Sequence, residues 1–355
     1  MNVSLTLRDT RHTLIVTGLA MLLVATGLIS LTIGAVSVPL TDVLTILLHK
    51  IGVASHWQID STSELVLTTI RLPRIFMTIL VGAALGVSGG ALQGLFRNPL
   101  VEPGLIGVSG GSAAGVVLLI VFGSTLFLST DTILYNAVIP VVAFAGGALA
   151  TLLVLGLGKQ SGKTNIAVLV LTGVAVNALA GAIIGLSVFY ANENQLRTFT
   201  FWTLGDLGGA TADKLIIAAP LLIGSIVVLL LQSRALNAIA LGEAEAYHMG
   251  VNVERTKRII VFFSALAVGV SVSLAGIIGF IGLVIPHLVR VLFNSDHRLV
   301  LPASVLGGAW LLLVADIIAR TLVAPAELPI GVMTSLIGAP FFIALLMKAK
   351  LKNHV

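Results

Sequence analysis

The stretch RLPRIFMTILVGAALGVSGGALQGLFRNPLVEPGLIGVSGGSAAG, residues 71–115, decides the fold of this chain. Its first half contains an apolar run of 22 residues without a charge, from Ile75 to Phe96. A helix of about 20 apolar residues crosses the hydrocarbon core of a bilayer. A second apolar run, rich in Gly and Ser, follows Pro103. We therefore interpret the stretch as a hairpin of two membrane helices.

Glycines recur every four residues within the first helix of this hairpin, at Gly82, Gly86, Gly90 and Gly94. On a helix this spacing places them in one stripe without side chains, the small-xxx-small pattern that lets membrane helices approach closely. The stripe predicts helix packing, and lining of a transport pathway is the alternative.

A run at 165–190 repeats the spacing with Gly173, Asn177 and Gly181. The polar Asn177 requires a partner at membrane depth, which either a neighbouring helix or water in a cavity supplies. Packing and a pathway are again the two interpretations.

The composition predicts an all-α membrane protein that forms a single transmembrane domain over residues 1–355. The chain is 57% hydrophobic and 10% charged, whereas soluble domains carry about 25% charged residues. It has no cysteine, so disulfides and thiolate metal sites are excluded. We attribute the net charge of +5 to basic loops rather than to nucleic-acid binding, because these residues are spread over short loops.

The apolar runs predict ten spans, which place both termini on one side of the membrane. The first follows Arg8 and Arg11, and we favour an uncleaved helix over a signal peptide because the run is long. With both termini in the cytoplasm, fourteen of the twenty Lys and Arg residues lie inside, as the positive-inside rule requires. The spans are 13–35, 72–96, 104–124, 134–157, 165–190, 214–232, 258–275, 277–293, 301–320 and 331–347.

Arg71, Arg74 and Arg320 are exceptions to this bias, because they fall at span ends on the outer side. Snorkelling to lipid head groups is one explanation. A cationic surface that receives an acidic partner is the other.

The spans carry no ionisable residue deep within them except Asp316, near the outer end of the ninth. Ion-coupled carriers usually need such groups, so a secondary carrier or passive channel is the less favoured alternative. The segment GLGKQSGKT at 156–164 resembles a phosphate loop, but Leu157 stands where the motif needs glycine, and the segment joins two apolar spans. We expect no catalytic residue, metal site or cofactor of this chain's own.

The long inner loop, about 232–257, predicts a docking element. Its centre, Leu236 to Met249, has the spacing of a short amphipathic helix that Gly250 terminates. Such a helix suits a groove of another protein, and an ordinary solvated loop is the alternative.

Taken together, the residues resemble the FecCD-type permease subunits of binding-protein-dependent ABC importers for haem, vitamin B12 and ferric siderophores. The resemblance covers the chain from about residue 14. The segments that carry it are RLPR (71–74), SGGALQGLFRNPLVEPGLIGVSGG (88–111), LGEAEAYHMG (241–250), GIIGFIGLVIPHLVR (276–290), ADIIAR (315–320) and ELPIGV (327–332).

The resemblance implies a type II ABC importer permease with ten transmembrane helices in the bacterial inner membrane. Its implied partners are a second copy of the chain, a periplasmic substrate-binding protein and two ATP-binding cassette subunits, which hold ATP and Mg. Arg71, Arg74 and Arg320 match the family's arginines that dock the binding protein. Glu243, Glu245, Ala246 and Gly250 match its coupling helix, although Glu245 to Gly250 is one residue short of the broader motif.

Within the family, the segment at 94–111 is more similar to haem and B12 permeases than to siderophore permeases. The run WTLGDLGGAT at 202–211 favours haem. The resemblance therefore implies import of haem, with vitamin B12 or a ferric siderophore as alternatives.

Overall fold

The computed structural model describes residues 2–34, 38–50, 52, 60–126, 132–160 and 163–352. Over these ranges the chain is helical apart from loops and one short hairpin of β1 (Lys159–Gln160) and β2 (Lys163–Thr164). The helices are α1 (Asn2–Thr32), α2 (Leu40–Lys50), α3 (Ser61–Leu65), α4 (Leu72–Phe96), α5 (Val108–Leu126), α6 (Thr132–Leu157), α7 (Ile166–Tyr190), α8 (Glu193–Thr203), α9 (Ala212–Leu231), α10 (Ser233–Leu241), α11 (Glu243–His248), α12 (Val253–Ala275), α13 (Ile281–Leu292), α14 (His297–Thr321) and α15 (Ile330–Lys352). A π-helical stretch, Val66–Arg71, joins α3 to α4, and a 3-10 turn, Pro103–Ile106, precedes α5.

Helix α4 coincides with the predicted span 72–96. Pro73 lies in its first turn, where a missing N–H removes no hydrogen bond. The helix ends at Arg97, whose φ of 51° is left-handed. The N–H of Asn98 donates back to the carbonyl of Gln93 at 3.2 Å, and Pro99 prevents a further helical turn.

The same helix lies at the centre of the bundle. It is buried along almost its whole length and packs against α9, α12, α13 and α14. Helices α1, α6, α7 and α9 expose large apolar side chains such as Leu171, Phe189 and Ile217. An outer surface of this kind requires lipid as its solvent.

Seven helical segments among the described residues are long and apolar enough to cross a membrane, and the all-α membrane fold is thereby confirmed. They are Thr10–Thr32, Ser61–Phe96, Val138–Leu157, Ile166–Tyr190, Ala212–Leu231, Val253–Ala275 and His297–Thr321. Shorter apolar helices overlap the other three predicted spans; they are Val108–Gly123, Ile281–Leu292 and Ile330–Ala344. The count of ten spans, the single domain and the side of the termini stay predictions.

The predicted span 277–293 is wrong at its beginning, because residues 276–280 are not helical. Gly276 (φ 69°) and Phe280 (φ 68°) both adopt left-handed backbone angles, which break the chain between α12 and α13. The backbone N–H of Phe280 donates to the Glu102 carboxylate at 3.4 Å. Burial raises the pKa of Glu102, and this weak hydrogen bond acts in the opposite direction.

Candidate functional site

The glycine stripe of α4 is in contact with α14. A methyl group on Gly82 would overlap the carbonyl oxygen of Gly308, and one on Gly86 would overlap that of Ser304. Gly90 lies beside Leu301, and Gly94 lies under the ring of His297. Helix packing therefore accounts for the position of all four glycines.

The stripe of α7 divides into a packed half and an open half. A methyl group on Gly173 would overlap the carbonyl oxygen of Leu105. Asn177 Nδ2 donates to the carbonyl of Gly104 at 3.1 Å, so a neighbouring backbone supplies its partner. An added methyl group on Gly181 meets nothing within 4 Å. The first two residues hold the turn before α5, whereas Gly181 faces open space.

The three outer arginines form one buried cluster with two carboxylates. Arg74 Nε donates to Asp316 Oδ1 at 2.9 Å, and its NH1 donates to both oxygens of Glu327, at 3.1 and 2.8 Å. Arg320 Nε lies 3.0 Å from Asp316 Oδ2. Arg71 NH1 donates to the carbonyl of Leu31. The cluster, which we call the arginine cluster, thus joins α1, α4 and α14.

A cationic surface for an acidic partner was one of the two interpretations of these arginines, and in the single chain all three are buried. The relative exposures of Arg71, Arg74 and Arg320 are 4%, 7% and 7%. Asp316 is fully buried between two of them, and the side chain of Glu327, 44% exposed, is the accessible charge. Unpaired charges are expensive to bury; Arg74 and Arg320 pair with carboxylates, and Arg71 donates to a backbone carbonyl. Docking of an acidic partner here stays a prediction.

The loop at about 232–257 contains two short helices, α10 and α11, instead of the single predicted helix 236–249. Gly242, with φ of 138°, breaks the backbone between α10 and α11. Helix α11 ends as predicted at Gly250, whose φ is 82°. The N–H of Val251 then donates to the carbonyl of Ala246 at 3.0 Å, a C-capping bond of the Schellman kind.

The residues matched to a coupling helix point in different directions. Ala246 is buried, whereas Glu245 is exposed. Glu243 Oε2 accepts from Lys257 Nζ at 2.8 Å, and the same ammonium donates to the carbonyl of Thr164 at 3.2 Å. Lys257, which the sequence placed among the loop charges, is therefore a buried anchor that ties α11 and α12 to the β hairpin.

A groove of about 1330 Å³ opens beside α11. Its walls come from the end of α4, the hairpin, α11 and the start of α12, and they include Phe96, Arg97, Tyr247 and Glu254. Glu254 accepts from the Thr164 hydroxyl at 2.7 Å, which fixes the hairpin against α12. Ser161 and Gly162, from the segment that resembles a phosphate loop, lie outside the described residues. The groove carries both charged and apolar groups, as a protein-binding surface does.

Two polar residues at the end of α4 and in α13 were missed by sequence reasoning. Arg290 counted as a loop charge, yet its NH2 donates to the carbonyl of Gly90 at 3.1 Å and its NH1 donates to Gln93 Oε1. Gln93 is 2% exposed. A lone polar side chain in a run of small apolar residues is the one signal that could have identified it.

These features define a class: a multi-pass helical membrane permease with a groove and a short exposed helix at one end. The particular family is shown by comparison. The chain belongs to the FecCD transport family, whose model matches residues 22–348, and it is an ABC importer permease of that family.

Named relatives carry different substrates. The chain is 45% identical over 281 residues to the hemin transport system permease protein HmuU of Yersinia pestis, covering 79% of this chain and 83% of the relative. It is 41% identical over 290 residues to the vitamin B12 import system permease protein BtuC of Escherichia coli O9:H4, covering 81% and 85%. It also matches a solved inward-facing structure assigned to a metal-chelate type ABC transporter, with TM-score 0.80, 35% identity, and coverage of 94% and 99%.

Proposed function

We propose that this chain carries haem from the periplasm to the cytoplasm across the bacterial inner membrane, driven by two separate ATPase subunits. The substrate assignment is supported by the 45% identity to a hemin permease and by the residues at 94–111 and 202–211. Vitamin B12 is the alternative that the 41% identity to a B12 permease favours. A ferric siderophore is the third candidate within the same family.

The observation that carries the ATP-driven mechanism is the exposed helix α11 beside its groove. Tyr247 and Met249 are 72% and 63% exposed, although both are large apolar side chains. Exposed apolar groups next to a groove favour a protein partner. We assign this face to the ATPase subunits, which hold ATP and Mg. When ATP binding moves α10 and α11, the helices joined to them in the chain, α9 and α12, are displaced as well.

A second copy of the chain is proposed to pack along α7. Gly181 and Gly185 both leave open space on this helix, and Leu179 and Leu186 are exposed beside them. Small residues flanked by apolar ones suit close approach of another membrane helix. The transport pathway would lie between the copies, lined by small and apolar groups that bind a large flat amphiphile weakly.

The arginine cluster is proposed to receive an acidic residue of the periplasmic binding protein. It brings three guanidinium groups together at one site, and guanidinium groups bind carboxylates through strong charge-assisted hydrogen bonds. Glu327 lies at the accessible edge of the cluster on Arg74. A carboxylate of the binding protein would therefore compete with Glu327 for the same guanidinium group.

Reconstituted transport tests the proposal. The permease, its ATPase and its binding protein are placed in proteoliposomes, and uptake of haem, cobalamin and a ferric siderophore is measured with and without ATP. We expect ATP-dependent uptake of haem that the other two substrates do not inhibit. ATP-dependent uptake of cobalamin alone would mean that the substrate is vitamin B12 rather than haem. Equal uptake without ATP would reject the ATP-driven mechanism.

A further inference from the structure

A set of partly and fully buried polar contacts links α10 to the core of the bundle, and it begins at Asn237. Asn237 Nδ2 donates to Asp296 Oδ1 at 2.6 Å, and its Oδ1 accepts from the backbone N–H of His297 at 2.9 Å. The same oxygen lies 2.8 Å from His297 Nδ1. One carboxamide thus joins α10 to the first turn of α14, so these two elements move together.

The next contact is between His297 and α4. The His297 ring is 4% exposed, and it lies directly against Gly94, where an added methyl group would overlap Nε2. Interiors are packed too densely for such a ring to shift without moving its neighbours. A displacement at the start of α14 is therefore delivered to the end of α4.

Gln93, the neighbour of Gly94, in turn contacts two further elements. Its Nε2 lies 3.3 Å from the carbonyl of Val101, and 3.1 and 3.2 Å from those of Gly282 and Leu283. Its Oε1 accepts from Arg290. A single buried carboxamide thereby joins α4 to α13 and to residues 97–102, which we call the connecting loop.

The connecting loop contacts several neighbouring elements, which a displacement of the loop would therefore affect. Arg97 lines the groove beside α11, and Glu102 contacts the backbone at the start of α13. The turn that follows the loop packs on α7 through Gly173 and Asn177. A shift of the connecting loop would therefore reach the helix that we place along the transport pathway.

We propose that Asn237, His297 and Gln93 are positioning residues, which set the connecting loop according to the position of the coupling helices. The proposal rests on the proposed ATP-driven function. It adds the specific route by which movement of α10 reaches the inner end of the pathway. None of the three residues needs to contact substrate or nucleotide, because each acts through the backbone or ring that it holds.

A spin label on the connecting loop tests this route. The chain has no cysteine, so Leu100→Cys, at a site 47% exposed, carries a single label. In the reconstituted complex, ATP should change the mobility of the label. Asn237→Leu should abolish that change while ATP hydrolysis continues, and substrate carried per ATP should fall by about 2- to 30-fold, the range typical of a coupling network. An unaltered ATP response of the label in Asn237→Leu would overturn the proposal.

A second variant covers the case in which Asn237→Leu fails to fold. The methyl group of Gly94→Ala pushes on the His297 ring and should therefore disturb the response of the label to ATP. Adding His297→Asn, whose shorter side chain leaves room for that methyl group, should restore the response. Gly224→Ala in α9, where the methyl group meets nothing within 4 Å, is the control. If Gly94→Ala responds like Gly224→Ala, the route is refuted. If the unmodified permease shows no ATP-dependent uptake, it is the proposed function that fails.

Discussion

The structure predicts that the charge of Asp316 contributes strongly to the stability of the fold. Asp316 is fully buried between Arg74 and Arg320, at 2.9 and 3.0 Å. Asp316→Asn keeps the shape of the side chain and removes its charge, so two buried guanidinium groups face each other without a shared carboxylate. Breaking a buried ion pair costs about 3–5 kcal/mol. Arg74 retains Glu327, and Arg320 retains Ser30 Oγ at 2.7 Å, so we expect about 3 kcal/mol, the lower end of that range.

Glu327→Gln is the matched control, because it removes a carboxylate from the same guanidinium group. The side chain of Glu327 is 44% exposed, and water replaces much of what is lost. Exposed ion pairs contribute about 0–1 kcal/mol, so we expect a loss in that range. The two variants share Arg74 as a partner and the same carboxylate-to-carboxamide change. They differ in the burial of the carboxylate and in the second partner of Asp316, Arg320.

The free energy of unfolding of both variants can be measured in lipid bicelles by steric trapping, which avoids irreversible heating. The expected order is unmodified protein, then Glu327→Gln, then Asp316→Asn, with the last clearly separated. Equal losses for the two variants would refute the reasoning, as would a loss below about 1 kcal/mol for Asp316→Asn. Either result would mean that burial of the Asp316 carboxylate between two guanidinium groups does not set the size of the loss.

Three further predictions concern packing and partners. Gly86→Ala should lower the free energy of unfolding by about 1–3 kcal/mol, because its methyl group overpacks the contact with α14. Gly224→Ala should be neutral or stabilising, and steric trapping measures the free energy of unfolding of both variants. Tyr247→Ala should weaken binding of the ATPase subunits in pull-down assays while the unfolding temperature of the permease stays the same. Glu327→Gln should strengthen binding of the binding protein at low salt, because it removes the competing carboxylate from Arg74, and surface plasmon resonance measures this affinity.

Each of these three has a clear contrary result. Equal free energies of unfolding for Gly86→Ala and Gly224→Ala would mean that α4 and α14 are farther apart than described. Unchanged ATPase binding by Tyr247→Ala would move the coupling face away from α11. Weaker binding of the binding protein to Glu327→Gln would make Glu327 a docking residue itself.

Local patterns in the sequence were sufficient for the helices and some of their ends. The uncharged apolar run predicted α4, and Gly250 predicted the end of α11. The break at Gly242 was missed, because the flanking residues are good helix formers and the amphipathic spacing continues across it. A glycine between two short helical runs was the available signal.

Which apolar face lies inside could not be read from the sequence. Helix α4 is buried, whereas α7 is largely exposed, yet both are apolar runs with glycines four apart. Lipid is as apolar as a protein interior, so the hydrophobic pattern does not distinguish the two environments. The close approach of Gly82 to Gly308 distinguishes the buried helix α4 from α7, and only the tertiary structure shows this contact.

The long-range polar contacts could not be predicted from the sequence for a related reason. Arg74 and Asp316 are 242 residues apart, and Gln93 and Arg290 are 197 apart. Helix packing brings each pair together, and no spacing rule along one chain connects them. Arg71, Arg74 and Arg320 stood out through their unfavourable side of the membrane, but their carboxylate partners did not.

The most direct test of the central claim compares the permease alone with the complete assembly in sealed vesicles. The chain is an importer permease that is proposed to take its energy from partner ATPases docked at α11. The complete assembly should accumulate haem against its gradient when ATP is present, and the permease alone should not, with or without a proton gradient. Accumulation by the permease alone would contradict the claim.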